Sequence, residues 1–158
     1  MVFMIKQAIY AFLSTMGFSI LFNAPKDCII RSSICGMMGW LVKINLTDLF
    51  LSNVGGTFFG ASVVAVIGET MARKYKKPAT VFIIPGVIPL VPGAGMYYTM
   101  LNFINNDFSK TIEVGSDAFF TAISIALAVI VASSISKTTI RAIDKKRGNV
   151  EIIKKKQR

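Results

Sequence analysis

Residues 78–104, PATVFIIPGVIPLVPGAGMYYTMLNFI, are apolar enough to enter a bilayer and long enough to cross one, yet they cannot form an unbroken helix. Pro85, Pro89 and Pro92 each lack the amide proton that a helix donates four residues back. The carbonyls of Val81, Pro85 and Ile88 thereby lose their usual partners. Ile84, Ile88 and Val91 precede prolines and are biased towards extended backbone. Gly86, Gly93 and Gly95 allow close approaches that other residues resist. Bare backbone at membrane depth is tolerated only against protein or a wet cavity. The stretch predicts a broken helix lining a site, one half running from Pro78 to about Ile84 and the other from about Ala94 to Ile104.

Several further apolar runs approach or exceed the roughly 18–20 residues a membrane helix needs, and the few charges gather at their ends. The fold class expected is therefore all-α, a polytopic membrane helix bundle of five spans, alternatively four. Val2–Phe22 reads as the first span rather than a cleaved signal, because Lys6 sits inside it and no A-x-A-like site follows. Asn23-Ala24-Pro25-Lys26-Asp27 is a polar break. The second segment, Cys28–Ile44, is the doubtful one, since Arg31 and Lys43 must each snorkel or face protein. Leu51–Met71 forms a third segment, in which Gly56, Gly60 and Gly68 lie on one ridge suited to close helix packing. An adjacent row of Thr57, Ala61 and Ala65 ends at Glu69. That carboxylate reaches Arg73 one turn on, or serves with it as a coupling pair. Asn105–Gly115 is expected as a polar connection, and Ser116–Ser136 as the last span.

The net charge of +10 comes from Arg73, Lys74, Lys76 and Lys77 and from a basic C-terminal stretch. Both clusters fit the positive-inside rule and place the C-terminus in the cytoplasm. Residues 1–136 are the expected transmembrane domain and 137–158 a basic tail attracted to anionic membrane lipid. No soluble binding fold accompanies the charge, so nucleic acid is not an expected partner. The chain has no histidine, which removes His-based triads and most zinc sites. No enzyme activity and no cofactor or metal are expected. Cys28 and Cys35 read as buried free thiols.

A half-helix starting near Ala94 would present the amides of Ala94, Gly95 and Met96 at a positively polarised end, which suits a carboxylate. Discontinuous helices of this kind build substrate sites in many secondary transporters. Pro85, Gly86, Pro89, Pro92, Gly93, Ala94, Gly95, Tyr97, Tyr98 and Thr99 are accordingly the candidate substrate-binding residues. Glu69 and Arg73 are the candidate coupling residues.

The run Pro85-Gly86-Val87-Ile88-Pro89-Leu90-Val91-Pro92-Gly93 resembles the P-G-x-I-P-x-x-P-G stretch of the threonine/serine exporter family. Phe22-Asn23-Ala24-Pro25 and the approach from Gly68 to Pro78 extend the likeness over most of the chain. The chain is most similar to that family's small membrane subunit. This resemblance implies an exporter of the bacterial cytoplasmic (inner) membrane, made with a second membrane subunit as a homo- or hetero-oligomer. The implied substrates are threonine and serine, or succinate for two-component members. The alternative is a membrane scaffold that stabilises a partner transporter without transporting.

Overall fold

A computed structural model describes residues 2–50 and 52–156, with side chains described except at positions 50, 137 and 139–156. Among these residues there is no strand. In chain order the helices are α1 (Val2–Leu21), α2 (Lys26–Phe50), α3 (Asn53–Tyr75), α4 (Thr80–Val87), α5 (Gly93–Ile104) and α6 (Phe108–Lys156). A 3-10 turn, Ile88–Leu90, extends α4. The expected tail continues the backbone of α6 to Lys156, while its charged side chains and Leu51 lie outside the described residues.

On length and composition α1, α3 and the Phe108–Ser136 part of α6 can each cross a membrane. The α4–α5 pair, bent by 49°, makes a fourth if it is one span. This is a multi-pass membrane protein with three to four such spans. Helix α2 has 25 residues, but Arg31, Ser32, Ser33, Lys43 and Asn45 make it too polar to qualify. It nevertheless runs antiparallel along both α1 and α3. Ser19 and Ser32 share a hydrogen bond of 2.8 Å, and Trp40 Nε1 donates to Gln7 Oε1 at 3.0 Å. Against α3, Cys35 Sγ donates to the carbonyl of Val64 at 3.2 Å. Both doubtful cations of α2 face protein. Arg31 stacks on Tyr75 at 3.8 Å, and the Lys43 ammonium lies 5.0 Å from the ring centre of Trp40.

The helix ends follow from local sequence. The only positive-φ residues described are Asn23, Lys76 and Asn106, each just past a helix. The amides of Ala24, Lys77 and Asp107 reach back to the carbonyls of Ser19, Ala72 and Asn102, recapturing groups that a helix end leaves bare. Ser52 caps α3, its Oγ accepting the amide of Gly55 at 3.3 Å. Asp107 caps α6, its carboxylate accepting the Lys110 amide at 3.2 Å and pairing with the Lys110 ammonium at 2.9 Å. Those two bonds hold the Asp107 carboxyl below the usual carboxylate range. This cap also corrects the expected Asn105–Gly115 connection. The turn is confined to Asn105–Asp107, because Asp107 starts α6 well before Ser116.

No described glycine has positive φ, so the glycines serve contact rather than turning. A Cβ on Gly60 would lie 2.7 Å from the Gly39 carbonyl of α2, and one on Gly56 would lie 2.8 Å from the Lys43 carbonyl. A Cβ on Gly68 would lie 2.6 Å from Ile83 of α4. Gly36 and Gly86 bring α2 and α4 together in the same way, with the Gly86 carbonyl 3.1 Å from a Cβ built on Gly36. A core of Cys35, Ala61, Val64, Leu90, Ile125 and Ala128 sits between α2, α3, α4 and α6. Both cysteines are buried and unpaired.

These contacts give a stability prediction. Gly60→Ala forces two backbones apart and should cost about 1–3 kcal/mol, the usual range for overpacking. Gly17→Ala meets nothing within 4 Å and should gain up to about 1 kcal/mol from helix propensity. Unfolding midpoints of the two variants in detergent measure the difference.

Candidate functional site

The break does occur, but later than the prolines suggest. Pro85 sits inside α4, and Ile88 remains right-handed helical. Of the residues before proline 85, 89 and 92, only Val91 is extended, at φ −60° and ψ 134°. The expected end at Ile84 is therefore corrected to Val91–Pro92. Packing explains the shift: Phe82, Ile83, Pro85, Gly86 and Leu90 are all buried in the seam with α2 and α3, which holds the helix through a proline that would otherwise break it.

Two of the three carbonyls freed by proline are recaptured. The amide of Ile88 donates to Pro85, and that of Val91 donates to Ile88 at 3.1 Å. The Val81 carbonyl loses its own helical donor at Pro85.

Contacts place the start of the second half-helix against α6 and α3. A Cβ on Gly95 would lie 3.1 Å from the Cβ of Ala118. The adjacent Asp117 accepts a hydrogen bond from Asn53, the first residue of α3, at 3.4 Å. The start of α5 is thus level with the N-terminal end of α3. Eleven residues of unbroken right-handed backbone, about 16 Å at helical rise, carry the break to that level.

The candidate residues consequently fall into two groups. Pro85 and Gly86 are buried between helices and act as packing surface. Pro92 caps α5 with φ −76° and ψ 54°, leaving the first-turn amides of Ala94 and Gly95 without acceptors in the helix. A Cβ on Gly93 would meet only open space. Tyr97 and Tyr98 are exposed, their rings edge to face at 5.3 Å. Thr99 turns back towards α6, its hydroxyl donating to the Gly95 carbonyl at 2.7 Å. No residue of α5 is buried, and its packing is against α6. Glu69 is buried and Arg73 lies one turn on, each already engaged in interactions. Because Gly68 touches Ile83 and Gly60 approaches Leu90, Glu69 lies about 14 Å along α3 from the level of Leu90, just before the break.

Pro89 lines a pocket with polar side chains of α1. That pocket, about 190 Å³, is bounded by Gln7, Tyr10, Ala11, Ser14, Trp40 and Pro89. Gln7 accepts the indole N–H of Trp40, which leaves its amide NH₂ for another partner. Tyr10 and Ser14 add hydroxyls, and the Lys43 ammonium over Trp40 supplies positive charge nearby. Asp117 is the carboxylate whose field reaches Lys43. Such a constellation holds a small anion by charge and orients it by hydrogen bonds. Gln7, Tyr10 and Ser14 were not among the sequence candidates. Their signal was spacing: three polar residues at i, i+3 and i+7 mark one face of an otherwise apolar helix. Among the described residues no three Cys, Asp or Glu side chains gather where a metal ion could sit.

The Trp40–Gln7 bond is expected to tie α1 to α2. A double-mutant cycle with Gln7→Leu and Trp40→Phe should give a coupling of about 0.6–1.7 kcal/mol, as for other interhelical bonds in membranes. Additive effects would show that the bond contributes nothing.

Comparison with known proteins adds the following. A family model described as "Threonine/Serine exporter, ThrE" matches residues 7–135. A Haemophilus influenzae protein described as "Uncharacterized protein" is 24% identical over 106 residues, covering 65% of this chain and 36% of that relative. The chain therefore spans little more than a third of that relative's length. No solved structure matches it.

Proposed function

This chain belongs to the threonine/serine exporter family, matched over residues 7–135, and from that premise we propose that it is one subunit of a secondary transporter. On this reading it exports small carboxylates, of the threonine/serine type or the succinate type, together with a second membrane subunit. Family membership points to transport rather than catalysis. The observation that carries the reading is the polar pocket at Pro89, where the broken helix meets Gln7, Tyr10 and Ser14 of α1 beside the Lys43–Trp40 pair. A carboxylate entering an apolar bundle needs a compensating cation and donors, and these residues supply both.

The second subunit is supported by the exposure of α5. A broken helix with bare first-turn amides and no buried residue gains from a protein neighbour or a wet cavity, since lipid satisfies neither. In this proposal α2 is a fifth crossing, the 73–77 cluster and the C-terminus face the cytoplasm of a bacterial inner membrane, and the tail contacts lipid. Asp117, whose negative charge acts on Lys43, is a coupling candidate alongside Glu69 and Arg73.

Efflux of labelled serine, threonine and succinate tests this, in cells carrying this chain, its partner subunit, or both. Export should require both. Gln7→Leu and Lys43→Gln should each lower it at least about tenfold, the loss expected when one charge-assisted contact worth 1.4 kcal/mol or more is removed, with membrane levels unchanged. Undiminished export by a verified Pro89→Leu variant would instead favour a scaffold that leaves transport to its partner.

A further inference from the structure

The stretch Phe22-Asn23-Ala24-Pro25 plays no part in the pocket at Pro89, yet the fold gives all four residues a common surface. With Thr80, Val81, Ile84 and Pro85 they line a cleft of about 420 Å³ at the other end of α4. Two segments far apart in sequence, the α1–α2 turn and the first half of the proline-containing helix, thus close on one space.

Three features give the cleft its chemistry. Val81 lies four residues before Pro85, whose missing amide leaves the Val81 carbonyl without its helical donor. Such a carbonyl is an acceptor held in place by the helix. Asn23 is locked by its left-handed backbone, φ 52°, and by the Ala24 amide donating to Ser19 at 2.9 Å. Its carboxamide is exposed and offers one acceptor and one donor group. Thr80, also exposed, opens α4 and adds a hydroxyl. Positive charge stands at the rim: Lys26 follows Pro25, and the Lys77 ammonium lies 3.8 Å from Asp27, which places it beside the same turn. Asp27 is itself engaged by Arg31 and Lys77, so it does not repel a carboxylate as a lone charge would. The remaining walls, Phe22, Ala24, Pro25 and Ile84, are apolar and suit a short side chain.

We propose that this cleft is a loading subsite for a small zwitterionic amino acid at the cytoplasmic end of the bundle. The ammonium group meets the Val81 carbonyl and the Asn23 oxygen, while the carboxylate meets the Thr80 hydroxyl, the Asn23 amide and the lysines at the rim. The proposal rests on the exporter reading for its ligand class and for which end faces the cytoplasm. It also narrows that reading, because the Val81 and Asn23 oxygens lining the cleft favour a ligand carrying an ammonium over a dicarboxylate, which has no proton to give them.

Thiol protection tests the subsite directly. Both native cysteines are buried, so in the full-length Ile84→Cys protein, whose new thiol sits on an exposed apolar wall of the cleft, that thiol is the reactive one in detergent. Millimolar L-serine should slow its maleimide labelling several-fold, and succinate at the same concentration should not. Asn23→Ala in the same background should abolish the protection. Labelling unaffected by serine would overturn the subsite, and equal protection by succinate would overturn its ammonium selectivity. Folding of each variant is checked by the unchanged burial of Cys28 and Cys35 to the same reagent. Serine protection in a protein that never supports export would count against the exporter reading alone. Export without protection would count against the subsite alone.

Discussion

Backbone-to-backbone contact through glycine sets where everything else in this chain can stand. At Gly39–Gly60 and Gly36–Gly86, α2 approaches α3 and α4 so closely that a single methyl would meet a carbonyl of the opposite helix. Lipid chains are as apolar as leucine, so burial of apolar surface does not draw membrane helices together; close packing and interhelical hydrogen bonds do. The Ser19–Ser32, Trp40–Gln7 and Cys35–Val64 bonds act over the distances that the glycines permit. Because α2 is held by neighbours on three sides, its Arg31 and Lys43 find aromatic partners instead of acyl chains.

The same contact governs the broken helix. The segment from Thr80 to Leu90 is wedged between α2 and α3 with Phe82 and Leu90 fully buried. Packing on both flanks keeps Pro85 and Pro89 within right-handed backbone and delays the break to Val91–Pro92. Once past Leu90 the chain leaves those flanks, turns, and rests on α6 through Gly95–Ala118 and Thr99–Gly115. The result is one segment with two characters: an inner half fixed by the bundle, and an outer half with bare amides and exposed aromatic residues. A transporter needs both, a rigid frame for selection and a less constrained element that can move.

Much of this was legible in the amino-acid sequence, for identifiable reasons. The Gly56–Gly60–Gly68 ridge could be read because small residues four apart have little use in a membrane helix other than close approach. The existence of a break could be read because three prolines within eight residues remove backbone donors wherever they fall. Its position could not, since that depends on whether neighbours grip Phe82, Ile83 and Leu90, and local preference knows nothing of neighbours. The turn at Asn105–Asp107 is shorter than its polar sequence suggests, because Asp107 already caps a helix. Gln7, Tyr10 and Ser14 form no recognisable motif, and only their i, i+3, i+7 spacing marks a polar face.

The central claim is that the break near Pro89 faces a wet polar pocket against α1, so that α1 has one face in contact with water at membrane depth and another in contact with lipid. Spin labels placed singly at Gln7, Ser14, Ile9 and Leu13 in the reconstituted protein measure this through relaxation by a water-soluble nickel chelate and by oxygen. Labels at Gln7 and Ser14 should respond to the chelate, and those at Ile9 and Leu13, which are exposed in the structure, to oxygen. Oxygen-dominated relaxation at all four positions would mean that the pocket is dry and that the broken helix meets lipid or closed protein, which contradicts the account.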